Sequence, residues 1–137
     1  MKKITALLLL VLIGYLVWLD QSFESSQEES LRLKASALAS EQPPRKFTTD
    51  GCTLFPNSVF GHDFTEDCIR HDMKYWSGGG VKERKAADDE LKKMLNNKIP
   101  YLGNTFFWGV RIFGHPLAPV PWRWGYGFEY PSLYKSR

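Results

Sequence analysis

The chain has 137 residues, enough for one compact domain with an additional segment at each end. Its formal net charge of +3 at pH 7 is too small to indicate nucleic-acid binding, and no basic run is interleaved with aromatic residues in the middle of the chain. The two cysteines, Cys52 and Cys68, are compatible with free thiols, a disulfide or half of a metal site.

The N-terminal segment has the pattern of a membrane-targeting helix. Lys2 and Lys3 precede a nearly unbroken apolar run over residues 4–19, and no small-residue cleavage site follows it. A helix of this length spans about 24 Å, slightly less than a hydrocarbon core of ~30 Å. We therefore predict that residues 1–20 form an uncleaved signal-anchor, a transmembrane helix with its lysines in the cytoplasm and the remaining chain extracytoplasmic. Cleavage of this segment would make the protein secreted.

An extracytoplasmic location affects the interpretation of the two cysteines, because disulfides persist outside the cytoplasm. A bridge between Cys52 and Cys68 is then the expected state, and it would contribute roughly 3 kcal/mol in the chain-entropy model. The alternative is a zinc site formed by Cys52, His62, Cys68 and His71. The spacing of these four residues does not match the common zinc modules.

Residues 21–45 are predicted to form a polar helical stalk and linker. The segment is rich in charged residues and alanine, and its few leucines give only a thin apolar stripe, so the helix would pack lightly on the rest of the protein. Pro43 and Pro44 end it, because proline cannot continue a helix and restricts the residue before it. We expect the compact domain to occupy residues 46–114.

Three helices are predicted in this domain, which makes the fold class mainly α. The first covers residues 65–76, with Thr65 as its N-cap. A turn of three glycines at residues 78–80 separates it from a second helix at about residues 81–97, and would let these two core helices lie antiparallel. The third helix, at residues 106–113, is strongly apolar and ends at the following glycine.

One face of the first helix carries unusual chemistry. Cys68, His71, Asp72 and Tyr75 occupy positions i, i+3, i+4 and i+7, which share a face in a helix of 3.6 residues per turn. These groups are costly to bury unless each has a partner, so the face is predicted to be an active site rather than ordinary core. The antiparallel second helix would bring Asp88 towards His71.

Two adjacent carboxylates compete for the role of histidine partner. Asp88 shares a helix face with Leu91 and Leu95, whereas Asp89 points further outward. Asp88 is therefore preferred, with Asp89 kept as the alternative.

These segments, in this order, resemble a known family. Residues 68–75 resemble the C-x-x-H-D-x-x-Y helix of secreted phospholipases A2, and residues 49–53 resemble the calcium loop of its small bacterial and fungal branch. Residues 87–91 and 107–114 are similar to the second and third helices of that branch. The Cys-Cys pair and the glycine-rich loop of the animal enzymes are missing. The resemblance covers residues 47–114 and leaves both ends of the chain unexplained.

The resemblance implies Ca²⁺-dependent hydrolysis of a phospholipid acyl ester at the extracytoplasmic membrane surface. His71 would activate a water molecule, Asp88 would hold the other ring nitrogen, and Tyr75 would support that carboxylate. No covalent nucleophile is required, and the expected partner is a phospholipid membrane rather than another protein. The alternatives are a non-catalytic lipid- or protein-binding member of the same fold, and an envelope structural protein with a vestigial site.

The same resemblance implies a calcium site beside the base. Calcium takes hard oxygen ligands, and two carboxylates would hold it weakly, with a dissociation constant of roughly 10⁻⁴ to 10⁻³ M. The Cys52–Cys68 bridge would tie the calcium loop to the helix that carries His71. The implied ligands are the Asp50 and Asp72 carboxylates and the Gly51 carbonyl oxygen.

The C-terminal segment, residues 115–137, is rich in proline and aromatic residues. Recurrent prolines exclude a helix, and the aromatic residues alternate with polar residues or glycine, which predicts an extended strand with one aromatic face. This face would cover the small core or contact the membrane interface, where tryptophan and tyrosine are favoured. The alternating rings are Trp122, Trp124, Tyr126, Phe128 and Tyr130, and the candidates for membrane contact are Trp122, Trp124 and Tyr126.

Overall fold

The structure is a computed structural model that describes residues 28–135. Within that range the protein is mainly helical, as predicted, with four helices and one short antiparallel hairpin. The elements are α1 (Glu28–Leu38), β1 (Ser58–Val59), β2 (His62–Asp63), α2 (Thr65–Ser77), α3 (Val81–Lys98) and α4 (Leu102–Phe113).

The predicted membrane anchor at residues 1–20 lies outside the described residues. Among the helices at residues 28–135, none has the length and apolar character needed to cross a membrane. Helix α1 lies in the predicted stalk and packs against α2, where its Ala35 is fully buried beside Phe47 and Trp76. The polar stalk therefore contributes directly to the core.

Helices α2 and α3 form the centre of the fold and run in opposite directions. Asp67, at the start of α2, pairs with Lys98 at the end of α3, whereas His71 contacts Asp88 further back along α3. The chain reverses at the three-glycine turn, where Gly78 and Gly79 have φ values of 63° and 136°. Glycine adopts these angles without the steric cost that other residues incur.

Two predicted helix ends differ from the structure. Thr65 is the first residue of α2 rather than its N-cap: that position belongs to Phe64, and the Asp63 carboxylate accepts a hydrogen bond from the Thr65 amide at 2.8 Å. Helix α4 begins earlier than predicted and includes Gly103. A Cβ at residue 103 would lie 2.0 Å from the carbonyl oxygen of Lys92, so this glycine permits close packing of α4 on α3.

The predicted strand in the C-terminal segment is wrong: residues 116–131 form mainly turns and bends, and residues 132–135 have no regular secondary structure. Arg123, one of the residues that alternate with the aromatic rings, is buried and donates hydrogen bonds to the carbonyl oxygens of Trp124, Gly125 and Phe128. These bonds fold the segment back on itself, and Gly125 adopts a φ of 73°. The Trp124 side chain is 2 % exposed and packs against Tyr75, so it belongs to the core rather than to a membrane-facing surface.

Candidate active site

A disulfide joins Cys52 in the loop before β1 to Cys68 on α2, as predicted. The Cα atoms of the two cysteines are 5.1 Å apart, and both side chains are buried against Phe64 and Leu91. Because both sulfurs are used in the bridge, neither is available as a thiolate ligand. The zinc site considered from the sequence is therefore excluded.

The His71 side chain lies directly against Asp88. Its Nε2 atom is 2.9 Å from Asp88 Oδ1, and the Tyr75 hydroxyl donates a hydrogen bond of 2.8 Å to the same oxygen. The other carboxylate oxygen of Asp88 accepts a hydrogen bond of 2.9 Å from Arg111. Asp88 is 0 % exposed, whereas Asp89 faces outward and pairs with Lys85. The structure therefore brings together His71, Tyr75 and Asp88, and places Asp89 elsewhere.

The hydrogen bonds to Asp88 determine its charge. Burial alone would raise the pKa of this carboxyl, but hydrogen bonds from His71 and Arg111 outweigh burial and lower the pKa below its usual range. Asp88 is therefore an ionised acceptor, which assigns the proton on the His71 ring to Nε2. The lone pair is then on Nδ1, the nitrogen that a general base would use.

Two arginines, Arg84 and Arg111, contact the group formed by His71, Tyr75 and Asp88. Neither was identified as a site residue from the sequence. Arg84 is 1 % exposed and donates hydrogen bonds to the Tyr75 hydroxyl and to the carbonyl oxygens of Val110 and Arg111. Burial and the nearby Asp88 charge raise the pKa of Tyr75, which keeps its hydroxyl a donor. Two sequence signals were available: Arg84 is one helical turn before Asp88, and Arg111 is the only charged residue of α4.

A second pair of carboxylates lies where the loop meets α2. Asp72 accepts a hydrogen bond of 2.6 Å from the Thr49 hydroxyl, and Asp50 accepts one of 2.7 Å from Thr53. The Gly51 amide donates to Thr49 Oγ1 at 3.1 Å. Burial raises the pKa of Asp72 well above its usual range, and the negative charge of Asp50 raises it further. The two aspartates are thus close enough to repel each other.

This second pair has the character of a weak site for a hard cation. A divalent ion would offset the repulsion between Asp50 and Asp72, and the adjoining Gly51 carbonyl would add a neutral oxygen ligand. No cluster of three or more histidine, cysteine, aspartate or glutamate side chains suited to a metal was found at residues 28–135. Two carboxylates supplemented by backbone, water or substrate oxygens would fit Ca²⁺, whereas Zn²⁺ prefers nitrogen and sulfur.

A cavity of about 290 Å³ opens beside the His71–Asp88 pair and the second pair of carboxylates. Its walls include His71, Asp72 and Gly51, and its other lining residues are mainly apolar. Leu54 and Phe113 line it and are 68 % and 64 % exposed, so apolar surface continues from the cavity to the outside of the protein. The lining residues contributed by the helices and the tail include Leu91, Phe106, Val110 and Trp122.

The three tail residues considered for membrane contact have different environments. Trp122 is half-buried at the cavity wall, and Trp124 is in the core. Tyr126 is half-buried and its hydroxyl donates a hydrogen bond of 2.6 Å to the Thr48 carbonyl oxygen. Burial raises the pKa of Tyr126, and the Asp72 and Asp50 charges raise it further, which places this side chain near both aspartates.

Comparisons with protein-family models, with curated proteins and with solved structures found no match. The function is therefore inferred from the chemistry of the site. That site combines a buried histidine–aspartate pair, a second pair of carboxylates and an apolar cavity that touches both.

Proposed function

We propose that this protein hydrolyses a phospholipid acyl ester in a Ca²⁺-dependent reaction, in the manner of the secreted phospholipases A2 of the bacterial and fungal type. The observation that carries the proposal is that His71 and Asp72 both line one apolar cavity. A general base and a cation site would then act on the same bound molecule. An apolar cavity favours a substrate with hydrocarbon chains, because burying such chains releases their surface from water.

In this proposal His71 acts as a general base on water. Its Nδ1 atom accepts a proton while the water oxygen bonds to the acyl carbon, and the same proton later passes to the departing alkoxide oxygen. Asp88 accepts from Nε2–H throughout, so it maintains the ring orientation and stabilises the imidazolium that forms. Tyr75 and Arg111 hold the two oxygens of Asp88 in place.

The second carboxylate pair has a separate role. Asp50, Asp72 and the Gly51 carbonyl oxygen would hold Ca²⁺, whose positive charge polarises the ester carbonyl and offsets the charge of the oxyanion. The Cys52–Cys68 bridge fixes the loop to α2 and so relates the position of this site to that of His71.

The surface around the cavity suits contact with a phospholipid membrane. Leu54 and Phe113 are exposed at the cavity, and Ile112 lies next to Phe113 on α4 with its side chain also exposed. Buried in the headgroup region, these side chains would lower the free energy of the bound state and direct the cavity towards lipid. An N-terminal anchor at residues 1–20 would keep the domain at the extracytoplasmic surface of a membrane.

The proposal is tested by release of fatty acid from mixed phospholipid vesicles, with Ca²⁺ and with a chelator. Wild-type protein should be active only with Ca²⁺, and His71→Ala should lose activity by at least about a hundredfold, the contribution typical of a general base. His62→Ala is the control, since this histidine is exposed on β2. Equal activity of His71→Ala and wild type would refute the mechanism. Lipid binding without hydrolysis by folded wild type would favour the non-catalytic alternative.

A further inference from the structure

The tail packs over the C-terminal end of α2. The Gly125 amide donates a hydrogen bond of 2.6 Å to the Tyr75 carbonyl oxygen, and the Gly127 amide donates one of 3.2 Å to the Trp76 carbonyl oxygen. The last carbonyls of a helix have no partner within the helix, so these bonds satisfy groups that would otherwise require water. Residue 126 is thereby held at a fixed position relative to the helix that carries His71 and Asp72.

From this position Tyr126 reaches the loop that precedes the disulfide. Its ring packs against two buried clusters, one that contains Met73 and Trp76 and one that contains Trp124. Its hydroxyl donates a hydrogen bond to the Thr48 carbonyl oxygen. The next residue, Thr49, donates to Asp72 and accepts from the Gly51 amide. Tyr126 therefore supports the loop immediately before the residues that form the second carboxylate pair.

We propose that Tyr126 is a positioning residue that sets the distance between Asp50 on the loop and Asp72 on α2, and so prepares this pair to bind a divalent cation. The inference rests on the proposed function, because that function assigns the cation site. Two like charges on separate segments tend to move apart when no cation lies between them. A bond from the tail to Thr48 opposes that separation without occupying a ligand position. In this proposal Tyr126 supports the loop at residues 48–53 and does not contact the membrane interface.

The test compares Ca²⁺ affinities of purified full-chain variants, measured from amide chemical shifts of Gly51 and Asp72 during titration with CaCl₂. Tyr126→Phe removes only the hydroxyl and keeps the ring in the core. We expect its dissociation constant for Ca²⁺ to rise about threefold to tenfold, the factor that corresponds to one lost hydrogen bond. Tyr130→Phe is the matched control, because its hydroxyl also donates to a tail carbonyl oxygen, that of Leu117. Its Ca²⁺ affinity should equal that of wild type.

Two further measurements distinguish positioning from general destabilisation. In Tyr126→Phe, amide hydrogen exchange should accelerate in residues 48–53 and stay unchanged in α3, and saturating Ca²⁺ should restore the wild-type kcat. Thr49→Val removes the hydroxyl that bonds to Asp72 directly and should weaken Ca²⁺ binding in the same direction, so it gives the size of the effect expected when the loop is no longer held.

The outcomes separate this inference from the proposed function. Absence of Ca²⁺ binding by wild type would overturn the cation site, and the positioning role with it. Ca²⁺ binding by wild type with equal affinity in Tyr126→Phe would overturn the positioning role alone. A loss of kcat in Tyr126→Phe that saturating Ca²⁺ does not restore would also overturn it, because the hydroxyl would then act on another step.

Discussion

The change Asp88→Asn isolates the charge of one buried carboxylate. Asparagine has nearly the same volume, but it replaces one acceptor oxygen with an amide that can only donate. In the wild type one oxygen of Asp88 accepts from His71 and Tyr75, and the other accepts from Arg111. Whichever way the amide turns, at least one of these donors faces another donor.

Two effects of known size follow from this geometry. The His71 ring loses the acceptor that selects its tautomer, so we expect kcat to fall by about 10² to 10⁴. Breaking a buried ion pair from one side costs about 3–5 kcal/mol of unfolding free energy. We expect the lower end of that range, because the Arg111 side chain is 25 % exposed and keeps part of its hydration.

The difference in unfolding free energy between wild type and Asp88→Asn should also depend on pH in a defined direction. The pKa of Asp88 is lowered in the folded protein, so its contribution is present above the unfolded-state pKa of about 4. That contribution is lost as the pH falls through the folded-state pKa. The gap in unfolding free energy between wild type and Asp88→Asn should therefore be constant near neutral pH and narrow below about pH 4.

Urea unfolding at a series of pH values and vesicle hydrolysis measure these effects. Asp89→Asn is the matched control, because it makes the same chemical change at the adjacent residue, which is paired with Lys85 on the surface. It should change the unfolding free energy by less than about 0.5 kcal/mol and leave kcat near the wild-type value. If the two variants behave alike in both measurements, Asp88 is not the partner of His71.

Three other changes probe separate parts of the protein. Without Ca²⁺, Asp72→Asn should raise the unfolding free energy by roughly 1 kcal/mol, because it removes a buried negative charge and the repulsion of that charge from Asp50. Thermal unfolding with and without Ca²⁺ should show that the variant no longer gains stability from the ion. Ile112→Ser should lower vesicle hydrolysis about tenfold and leave hydrolysis of a soluble short-chain ester unchanged, because Ile112 is exposed on α4 and does not line the cavity. Equal losses on both substrates would contradict the membrane contact. Replacing both Cys52 and Cys68 by alanine should lower the unfolding free energy by about 3 kcal/mol in urea titrations, and no loss would show that the bridge does not stabilise the fold.

The features predicted correctly depend on local patterns in the chain. Helical periodicity placed the chemical groups of α2 on one face, and the glycines at residues 78–80 indicated the reversal before α3. The choice of Asp88 over Asp89 followed from the apolar residues on the same face, and the structure places Asp88 next to His71. The disulfide is confirmed, and its prediction relied on the expected compartment and on the resemblance of the cysteine-bearing segments to a known family.

The features that were missed depend on contacts between distant segments. Arg84 and Arg111 meet at Tyr75 and Asp88 only after α3 and α4 have packed together, which no periodicity in a single helix indicates. The tail has the alternation of a strand, yet its hydrogen-bonding groups find partners in Arg123 and at the end of α2 instead of in a neighbouring strand. A period of two describes a possible strand and does not guarantee that another strand is available.

The closure of the tail over α2 has a consequence for biosynthesis. Residues 124–127 hold the end of α2 and also bond to Arg45, whose carbonyl oxygen accepts from the Trp76 indole. The ribosome adds this closing segment only after α1 to α4 have all been synthesised. We therefore expect a nascent chain, or one truncated before residue 124, to contain His71 and Asp88 while the loop at residues 48–53 is not properly held. In the proposed enzyme, lipid-degrading activity would then begin only after residues 124–127 have been synthesised and exported.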